Sequence, residues 1–285
     1  MGAKIKIKDG YIIASVKKSL KGCKIVFPKI SVGATENILI AACFAKGETK
    51  LRNCAIEPEI NDLINFLKKI GCKINKKGKR GINILGVEKL KSTVHKVIFD
   101  RIEAGTYIIA AALTKGHLKI KNVDPKIMET EINLLRKMGV NIIRKRNYII
   151  VNRTNKIRSA NVTTKPYPGF PTDLQAQTMV LMAKAKGVSI ITENIFENRF
   201  MHVSELRRMG AKIDIKGNKA KIYGKSKLNG AELMATDLRA SVCLVLAGLV
   251  SSNNTIVNII YHLDRGYEKI EKKLSRCGAQ IKRLQ

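Results

Sequence analysis

The sequence predicts an α/β protein built by tandem repetition of one helix-and-hairpin unit. The first observation is that similar segments, such as "LRKMGVNI" and "LRRMGAKI", recur along the 285 residues. The second is that the glycines of these segments are separated by 69, 68, 71 and 68 residues. They are Gly2, Gly71, Gly139, Gly210 and Gly278. Such a period is typical of repeats whose neighbouring copies bury each other's faces.

Each repeat is predicted to begin with an apolar helix that is rich in alanine. The segments that predict it are "GATENILIAACFA", "EAGTYIIAAAL", "DLQAQTMVLMAKA" and "DLRASVCLVLAGL". Each segment is followed by a Gly- or Asn-rich turn and a short strand, as in "HLKIKN" and "VSIITEN". The sequence therefore predicts a helix and then a strand in every copy.

A second, amphipathic helix and a β-hairpin are predicted to complete the repeat. The helix is indicated by apolar residues at helical spacing, namely Leu63, Phe66, Leu67 and Ile70, and in the last copy Tyr267, Ile270, Leu274 and Cys277. The repeat glycine ends this helix, because the C′ position favours a residue that accepts a positive φ. A hairpin follows, with Asp9-Gly10 as the turn in "AKIKIKDGYIIASV".

The repeat pattern is interrupted at both ends of the sequence. The hairpin that follows Gly2 has no preceding helices, and the last copy stops after one expected hairpin strand, "AQIKRLQ". Met1 therefore stands where an internal residue of a longer protein is expected. We expect the chain to be one part of such a protein.

The composition favours a globular protein with an anionic substrate. The net charge is +32, but lysines run through every segment and aromatic residues make up only 5%. This distribution argues against a stacking platform for single strands, so no specific nucleic acid is expected. The apolar stretch at Val242–Val250 is far shorter than the roughly 20 residues that span a bilayer, so no membrane contact is expected. No leader of a secreted protein follows Met1, and we expect a cytoplasmic protein.

No metal or cofactor site is predicted. The six cysteines form neither a CxxC pair nor a Cys/His cluster, and the four histidines are scattered. We expect these cysteines to be reduced and buried as small apolar side chains.

Several long segments carry a resemblance to a known family. They are "PKISVGATENILIAA", "DRIEAGTYIIAAAL", "PYPGFPTDLQAQ", "ITENIFENRFMHVSELRRMGA", "ATDLRAS" and "YHLDRGYEKIEKKL". Along its whole length the chain resembles the UDP-N-acetylglucosamine enolpyruvyltransferases of the enolpyruvyl transferase (EPSP synthase-like) family. The resemblance implies an inside-out α/β prism of βαβαββ repeats in two domains, six repeats in all, of which this chain holds about four.

The resemblance also implies the domain boundaries. Residues 1–98 would be the remaining third repeat of a first, incomplete domain. Residues 99–285 would be the second, three-repeat domain, without the N-terminal strand that completes it.

The implied reaction is the transfer of an enolpyruvyl group from phosphoenolpyruvate to the 3-hydroxyl of UDP-N-acetylglucosamine, without a cofactor. It is the first committed step of peptidoglycan synthesis, which links it to cell-wall biogenesis, cell shape and cell division. The family's general acid, a Cys or Asp on a mobile loop, matches none of the six cysteines here. We therefore expect little turnover from this chain alone, and a complementing N-terminal fragment is a possible partner.

The resemblance assigns substrate-binding residues to the start of the first helix. Lys29, Ser31, Val32 and Gly33, in "PKISVGA", match positions that hold the UDP diphosphate and uridine. A helix N-terminus suits this role because its free N–H groups and dipole attract anions. The local sequence alone is equally typical of an ordinary Ser N-cap.

The remaining site residues implied by the resemblance lie in the second half of the chain. Asp173 matches the favoured general base for the sugar hydroxyl, and Ile195 matches a backbone contact to the UDP-sugar. Three arginines match positions facing phosphoenolpyruvate, and an aspartate matches a second acid near the reaction centre: Arg199, Arg239, Arg265 and Asp237. Guanidinium groups suit carboxylate and phosphate ligands, although a lone arginine is usually a solvated surface charge.

Two other functions remain open at this point. One is a degenerate remnant that binds UDP-sugar or polyanions without catalysis. The other is the related enolpyruvyl transfer to shikimate 3-phosphate (3-phosphoshikimate 1-carboxyvinyltransferase), against which "FPTDLQAQ" and "FENRFMH" favour the nucleotide-sugar reaction.

Overall fold

A computed structural model describes residues 1–235 and 237–284, and the chain separates into two compact units. The first unit contains Met1–Ile98 together with the short segment Pro166–Pro168. The second unit contains the remaining described residues from Phe99 onward.

The first unit opens with an isolated hairpin of β1 (Lys4–Lys8) and β2 (Tyr11–Ser15), paired antiparallel. Asp9 and Gly10 form its turn with φ of 51° and 78°. Two successive positive φ angles are typical of the type I′ turn that matches the twist of paired strands, so the predicted hairpin is confirmed.

A complete repeat fills the rest of the first unit. Its elements are β3 (Lys24–Val26), α1 (Val32–Ala42), β4 (Glu48–Arg52), α2 (Pro58–Lys69), β5 (Lys73–Lys77) and β6 (Gly81–Leu85). The strand order is β3-β4-β6-β5, with β3 parallel to β4 and the other neighbours antiparallel. Both helices contribute to one core, in which Leu39, Ile60 and Ile64 are almost fully buried.

The second unit begins with two further copies of this pattern. The first has α3 (Arg101–Leu113), β7 (Leu118–Lys121), α4 (Glu129–Lys137), β8 (Asn141–Lys145) and β9 (Tyr148–Asn152). The second has β10 (Val162–Thr163), α5 (Gln175–Lys184), β11 (Val188–Thr192), α6 (Val203–Arg208), β12 (Lys212–Lys216) and β13 (Lys219–Tyr223). The strand order β10-β11-β13-β12 repeats that of the first unit, and β7-β9-β8 repeats its last three strands.

The third copy has β14 (Glu232–Met234), α7 (Leu238–Gly248), β15 (Ile256–Asn258), α8 (Tyr261–Asp264) and α9 (Ile270–Arg276). Its two strands pair in parallel. The expectation of a strand in "AQIKRLQ" is wrong for residues 279–284, which have no strand geometry. Gln285 lies outside the described residues. A strand requires a hydrogen-bonded neighbour, and within the described part of the chain this segment has no ladder partner.

The alanine-rich helices form the centre of the second unit. Helix α5 packs against both α3 and α7. Nine consecutive residues of α5, from Gln175 to Ala183, are buried. A helix surrounded by other elements must be apolar and compact on all sides, which explains its composition of Ala, Met, Val and Leu.

The predicted repeat glycines are confirmed as helix terminators. Gly71, Gly139, Gly210 and Gly278 follow the second helices with φ between +93° and +108°. In each case the next residue donates its N–H back to a carbonyl of the helix, as Val140 does to Leu135 at 3.0 Å. This is the C-terminal arrangement that a left-handed residue allows.

The expectation that all six cysteines are buried is wrong for two of them. Cys43, Cys54, Cys72 and Cys243 are buried, whereas Cys23 is half-buried and Cys277 is exposed. Cys277 follows the last turn of α9, and Leu274 is the last residue of that helix to reach the core. Helical spacing identified the face of α9 that packs on the core. Among the described residues, however, no element covers Cys277 at the end of that face.

Gly224 provides a test of the repeat packing. A Cβ at this position would overlap the carbonyl oxygen of Ala185, and a Cβ at Gly86 would overlap that of Ala45 in the equivalent place of the other repeat. We expect Gly224→Ala to lower the free energy of unfolding by about 3 kcal/mol, since backbone atoms cannot rotate away. Urea unfolding measures this change.

The matched control for this prediction is Gly33→Ala. Gly33 lies inside α1 with open space around its Cα, so alanine should raise stability by up to about 1 kcal/mol through helix propensity. Equal stabilities for Gly224→Ala and the parent chain would contradict the repeat packing described above.

Candidate active site

Asp173 lies at the centre of a charged cluster in the second unit. It belongs to the short 3₁₀ turn Thr172–Leu174 that leads into α5, and its side chain is 38% exposed. Nη2 of Arg199 donates to Oδ1 of Asp173 at 2.8 Å, and Nη2 of Arg239 donates to Oδ2 at 2.9 Å. One carboxylate is therefore held between two guanidinium groups, each of which binds a different oxygen.

This arrangement controls the charge on Asp173. Burial alone would raise the pKa of the carboxyl group, but the charges and hydrogen bonds of Arg239 and Arg199 outweigh burial and hold the pKa below its ordinary value. Asp173 is therefore ionised at neutral pH. The carboxylate has the charge that a proton acceptor needs, and both of its oxygens are already accepting hydrogen bonds.

Arg239 is fixed by a second, buried set of polar groups. Its Nη1 donates to the hydroxyl of Tyr267 at 3.2 Å, and that hydroxyl shares a 2.9 Å hydrogen bond with Thr106. Gln177 Nε2 donates to the Tyr267 hydroxyl at 3.2 Å and to the carbonyl of Asp173 at 2.9 Å. Burial raises the pKa of Tyr267, against the opposing effect of Arg239, so the phenol remains neutral. The network orients Arg239 before any substrate arrives.

Asp237 caps the helix that carries Arg239. Its Oδ1 accepts the backbone N–H groups of Arg239 and Ala240 at 2.7 and 2.9 Å. This is the ordinary geometry of an Asp N-cap at the start of α7. Asp237 thus holds the backbone on which Arg239 is mounted.

Ile195 and Arg265 take no part in the hydrogen bonds described above for this cluster. Ile195 is on the exposed turn after β11, and its N–H donates to Glu193 Oε1 at 2.8 Å. A backbone contact to a ligand would therefore use the carbonyl group of Ile195. Arg265 is exposed at the end of α8, and among the described residues no hydrogen bond or ion pair joins it to Asp173, Arg199 or Arg239.

The residues matched to nucleotide binding lie in the first unit. Lys29, Ser31, Val32 and Gly33 are all exposed around the start of α1. Ser31 is the N-cap of this helix, and its Oγ accepts the N–H of Ala34 at 3.2 Å. The capping geometry agrees with the local sequence, and the exposed helix start leaves backbone N–H groups facing solvent.

Sequence reasoning missed the groups that orient the cluster, chiefly Tyr267 and Gln177. Gln177 lies four residues after Asp173, a spacing at which side chains on a helix meet backbone of the preceding turn. Tyr267 lies two residues after Arg265 and was assigned only to an apolar face. A tyrosine among buried residues usually finds a partner for its hydroxyl, and that was the available signal.

His202 is a buried neutral group beside the cluster. It is 2% exposed, and burial lowers its pKa to about 4 although Asp237 opposes the shift. The unfolded chain binds a proton at the ordinary pKa of about 6.5, so between about pH 6.5 and 4 it carries more protons than the folded chain. We expect the free energy of unfolding to fall as the pH decreases through this window.

The measurement is urea unfolding of the parent chain and of His202→Asn at several pH values between 7 and 4. The stability difference between the two should shift in favour of the variant as the pH falls. His117→Asn is the control because His117 is exposed. A His202→Asn chain with the parent's pH dependence would show that His202 does not cause it.

In the described part of the chain, no three His, Cys, Asp or Glu side chains form a group that could hold a metal ion. Across residues 1–235 and 237–284, no helix has both the length and the apolarity needed to cross a bilayer.

The repeated architecture is shared with enzymes of known structure. The enolpyruvyl transferase NikO from Streptomyces tendae superimposes with a TM-score of 0.91 at 26% sequence identity, over 99% of this chain and 69% of that one. EPSP synthase from Acinetobacter baumannii superimposes with a TM-score of 0.76 at 20% identity, over 100% of this chain and 70% of that one, which shows a shared fold. The predicted fold class is confirmed: this is the α/β repeat fold of the enolpyruvyl transferases.

Sequence comparison gives the family. The family model for EPSP synthase (3-phosphoshikimate 1-carboxyvinyltransferase) matches residues 1–274. The chain is 60% identical over 284 residues to the UDP-N-acetylglucosamine 1-carboxyvinyltransferase of Pelagibacter ubique, and 55% identical to that of Rickettsia prowazekii. Each alignment covers 100% of this chain and 68% of the relative. The chain belongs to the EPSP synthase family of enolpyruvyl transferases, so the predicted resemblance and enzyme class are confirmed.

Proposed function

We propose that the chain takes part in the transfer of an enolpyruvyl group from phosphoenolpyruvate to the 3-hydroxyl of UDP-N-acetylglucosamine. The observation that carries this proposal is the ionised Asp173 held between Arg199 and Arg239. The reaction requires a base for the sugar hydroxyl and cations for phosphoenolpyruvate, the anionic enolpyruvyl donor. This cluster provides both. The relatives named above carry the same activity in their names.

Asp173 acts as the general base of the sugar hydroxyl. In the substrate-free state its low pKa makes it a weak base, because two guanidinium groups stabilise the charge. The carboxylate and phosphate groups of phosphoenolpyruvate are good partners for Arg199 and Arg239. When phosphoenolpyruvate binds to these guanidinium groups where they lie, its negative charges offset part of the positive charge that stabilises the carboxylate, and the pKa of Asp173 rises toward the ordinary value. Binding of the donor thus activates the base.

Arg239 and Arg199 also stabilise the charge of the tetrahedral intermediate. A guanidinium group that is oriented beforehand needs no reorganisation as the charge develops. Arg239 meets this requirement through Tyr267 and the Asp237 cap. Arg265, which is exposed and has a long flexible side chain, is a further cation for the donor phosphate.

The UDP part of the acceptor binds at the start of α1. Exposed N–H groups of Val32 and Gly33 and the positive end of the helix dipole suit a diphosphate, and Lys29 adds a charge. In the second unit, the family resemblance assigns the backbone of Ile195 a contact with the UDP-sugar.

Full turnover also requires an acid that protonates the methylene carbon of the donor. The family resemblance places this acid on a loop that the sequence does not contain, and the relatives extend beyond the matched region. We propose that a longer form of the protein or a separate N-terminal segment supplies it. The resulting activity would place the protein in peptidoglycan synthesis, and through it in cell-wall growth and cell division, within the cytoplasm.

An NMR titration of the chain with UDP-N-acetylglucosamine tests the proposal. Saturable shifts at the amides of Val32, Gly33 and Ile195 that persist at 0.3 M salt are expected. A polyanion such as heparin should give shifts that disappear at that salt concentration, because they depend on charge alone. The absence of saturable binding, or binding with the salt dependence of heparin, would overturn the proposal in favour of a polyanion-binding remnant.

Shikimate 3-phosphate is the control ligand for the related reaction. It should produce no saturable shift at Val32 or Gly33, because it has no uridine diphosphate. Saturable binding of shikimate 3-phosphate in preference to the nucleotide sugar would favour the other enolpyruvyl transfer.

A further inference from the structure

Glu193 is a buried carboxylate to which the reaction described above assigns no role. It follows the last residue of β11 and is only 3% exposed. Its Oε1 accepts the hydroxyl of Thr164 at 2.8 Å and the N–H groups of Ile195 and Phe196 at 2.8 and 3.2 Å. Its Oε2 accepts the hydroxyl of Thr172 at 2.8 Å. These four hydrogen bonds come from three different chain segments.

The groups around the Glu193 side chain are hydrogen-bond donors that point toward it, so a hydrogen-bond acceptor is needed there. The hydroxyl of Thr164 already accepts the N–H of Asn194 at 2.9 Å, so its own hydrogen points to Glu193. The N–H groups of Ile195 and Phe196 are donors only. A carboxylate with two accepting oxygens meets all of these groups, and an aliphatic side chain meets none.

Two of the three segments joined by Glu193 carry Asp173 and one of its two arginines. Thr172 immediately precedes Asp173, and both lie in the same 3₁₀ turn. Ile195 and Phe196 begin the turn that leads to Arg199, and the Arg199 guanidinium lies over the Phe196 ring, 4.9 Å from its centroid. Glu193 thus ties the base to the segment that carries one of its arginines.

We propose that Glu193 is a positioning residue that holds the Asp173 turn and the Ile195–Arg199 turn in the arrangement needed for the sugar nucleotide. It touches no substrate in this role. It directs the Ile195 carbonyl by fixing the neighbouring N–H groups, and it sets the separation of Asp173 and Arg199. The part of this inference that concerns the ligand rests on the proposed function above.

Three variants of the full chain distinguish the positioning role of Glu193 from the effect of its negative charge. Glu193→Gln removes the charge but keeps an oxygen for Ile195 and Phe196 and a hydrogen-bonding group for Thr172. Glu193→Ala removes the charge and the anchor together. Glu197→Ala is the matched control, since Glu197 is an exposed acid in the same turn.

The first readout needs no ligand. Amide hydrogen exchange at Ile195 and Phe196 should be fast in Glu193→Ala and slow in Glu193→Gln and Glu197→Ala. The carboxyl carbon of Asp173, followed by NMR against pH, should titrate at higher pH in Glu193→Ala than in Glu193→Gln, because Arg199 is no longer held at the carboxylate. Both variants lack the Glu193 charge, so a difference between their Asp173 titrations shows the effect of how Asp173 and Arg199 are positioned. Equal Asp173 titrations in these two variants would overturn the inference.

The second readout is affinity for UDP-N-acetylglucosamine in the same NMR titration. We expect Glu193→Ala to bind about tenfold or more weakly than Glu197→Ala, and Glu193→Gln to stay within about threefold of the parent. Equal affinities of Glu193→Ala and Glu197→Ala would contradict the inference. If the parent chain itself does not bind the nucleotide sugar, the proposed function fails, and the Asp173 titration still decides the role of Glu193.

A second pair of variants covers the case in which Glu193→Ala does not fold. Thr172→Val removes one anchor and keeps the shape of the side chain, whereas Thr172→Ser keeps the hydroxyl. The Asp173 titration should move to higher pH in Thr172→Val and stay at the parent value in Thr172→Ser. No difference between these two variants would count against Glu193 as the group that positions Asp173.

Discussion

Replacement of Asp173 by Asn is expected to lower the rate of enolpyruvyl transfer by about 10²–10⁴-fold, the usual range for loss of a general base. The amide has nearly the same size but cannot accept the proton of the sugar hydroxyl. Affinity for UDP-N-acetylglucosamine should change far less than the rate, because the role proposed for Asp173 is to accept a proton and not to hold the diphosphate. The assay is phosphate release by the chain supplied with the N-terminal segment of a relative.

Asp214→Asn is the control for this variant. Asp214 is an exposed aspartate on β12 that accepts the hydroxyl of Tyr223 at 2.9 Å, so the same chemical change occurs away from the cluster. It should retain the parent rate. An Asp173→Asn enzyme with the rate of Asp214→Asn would exclude Asp173 as the base.

Replacement of Arg239 by Ala is expected to reduce turnover by about 10²–10³-fold, as observed when one oriented donor to a developing charge is removed. Its side chain is 14% exposed and bridges Asp173 and Tyr267, so the alanine variant loses a fixed cation. Arg239→Lys should remain impaired, because one ammonium group cannot reproduce the planar fork that reaches both partners. The same phosphate-release assay measures both variants.

Arg208→Ala is the control, since Arg208 is exposed and pairs only with Glu205 on its own helix turn among the ion pairs of the described residues. Partial recovery of the Arg239→Ala rate by added guanidinium ion would support a role of the cation itself. Full activity of Arg239→Ala without any additive would contradict that role.

The sequence predicted the repeat because each copy carries local signals of its own. A glycine such as Gly139 or Gly210 ends a helix by a rule that involves only neighbouring residues. The alanine-rich composition of α5 likewise follows from burial on all sides. Both signals can be identified without knowledge of the partner elements.

The contacts of the cluster are different because they join residues that are distant in sequence. Asp173 and Arg239 are 66 positions apart, which is close to one repeat, and Tyr267 and Thr106 are 161 apart. Asp100, Asp173 and Asp237 precede or cap the first helices of successive copies, and these helices pack together. The repeat period could have predicted that these aspartates lie near one another. It could not predict which arginine donates to which carboxylate oxygen of Asp173.

Two failures of sequence reasoning have a common cause. The exposed Cys277 and the absent strand in residues 279–284 both belong to the last copy. A periodic pattern predicts which face a residue lies on, whereas burial and strand pairing require a neighbour that covers that face. Glu193 escaped notice for a related reason, since a single acid in "ITEN" resembles a solvated side chain until its four donors are known.

A crystal structure of the chain saturated with UDP-N-acetylglucosamine tests the central claim most directly. We predict that the 3-hydroxyl oxygen of the sugar lies about 2.6–3.2 Å from a carboxylate oxygen of Asp173, the distance that proton transfer requires. A bound nucleotide sugar whose 3-hydroxyl lies beyond hydrogen-bond reach of Asp173, with another side chain in its place, would contradict the account.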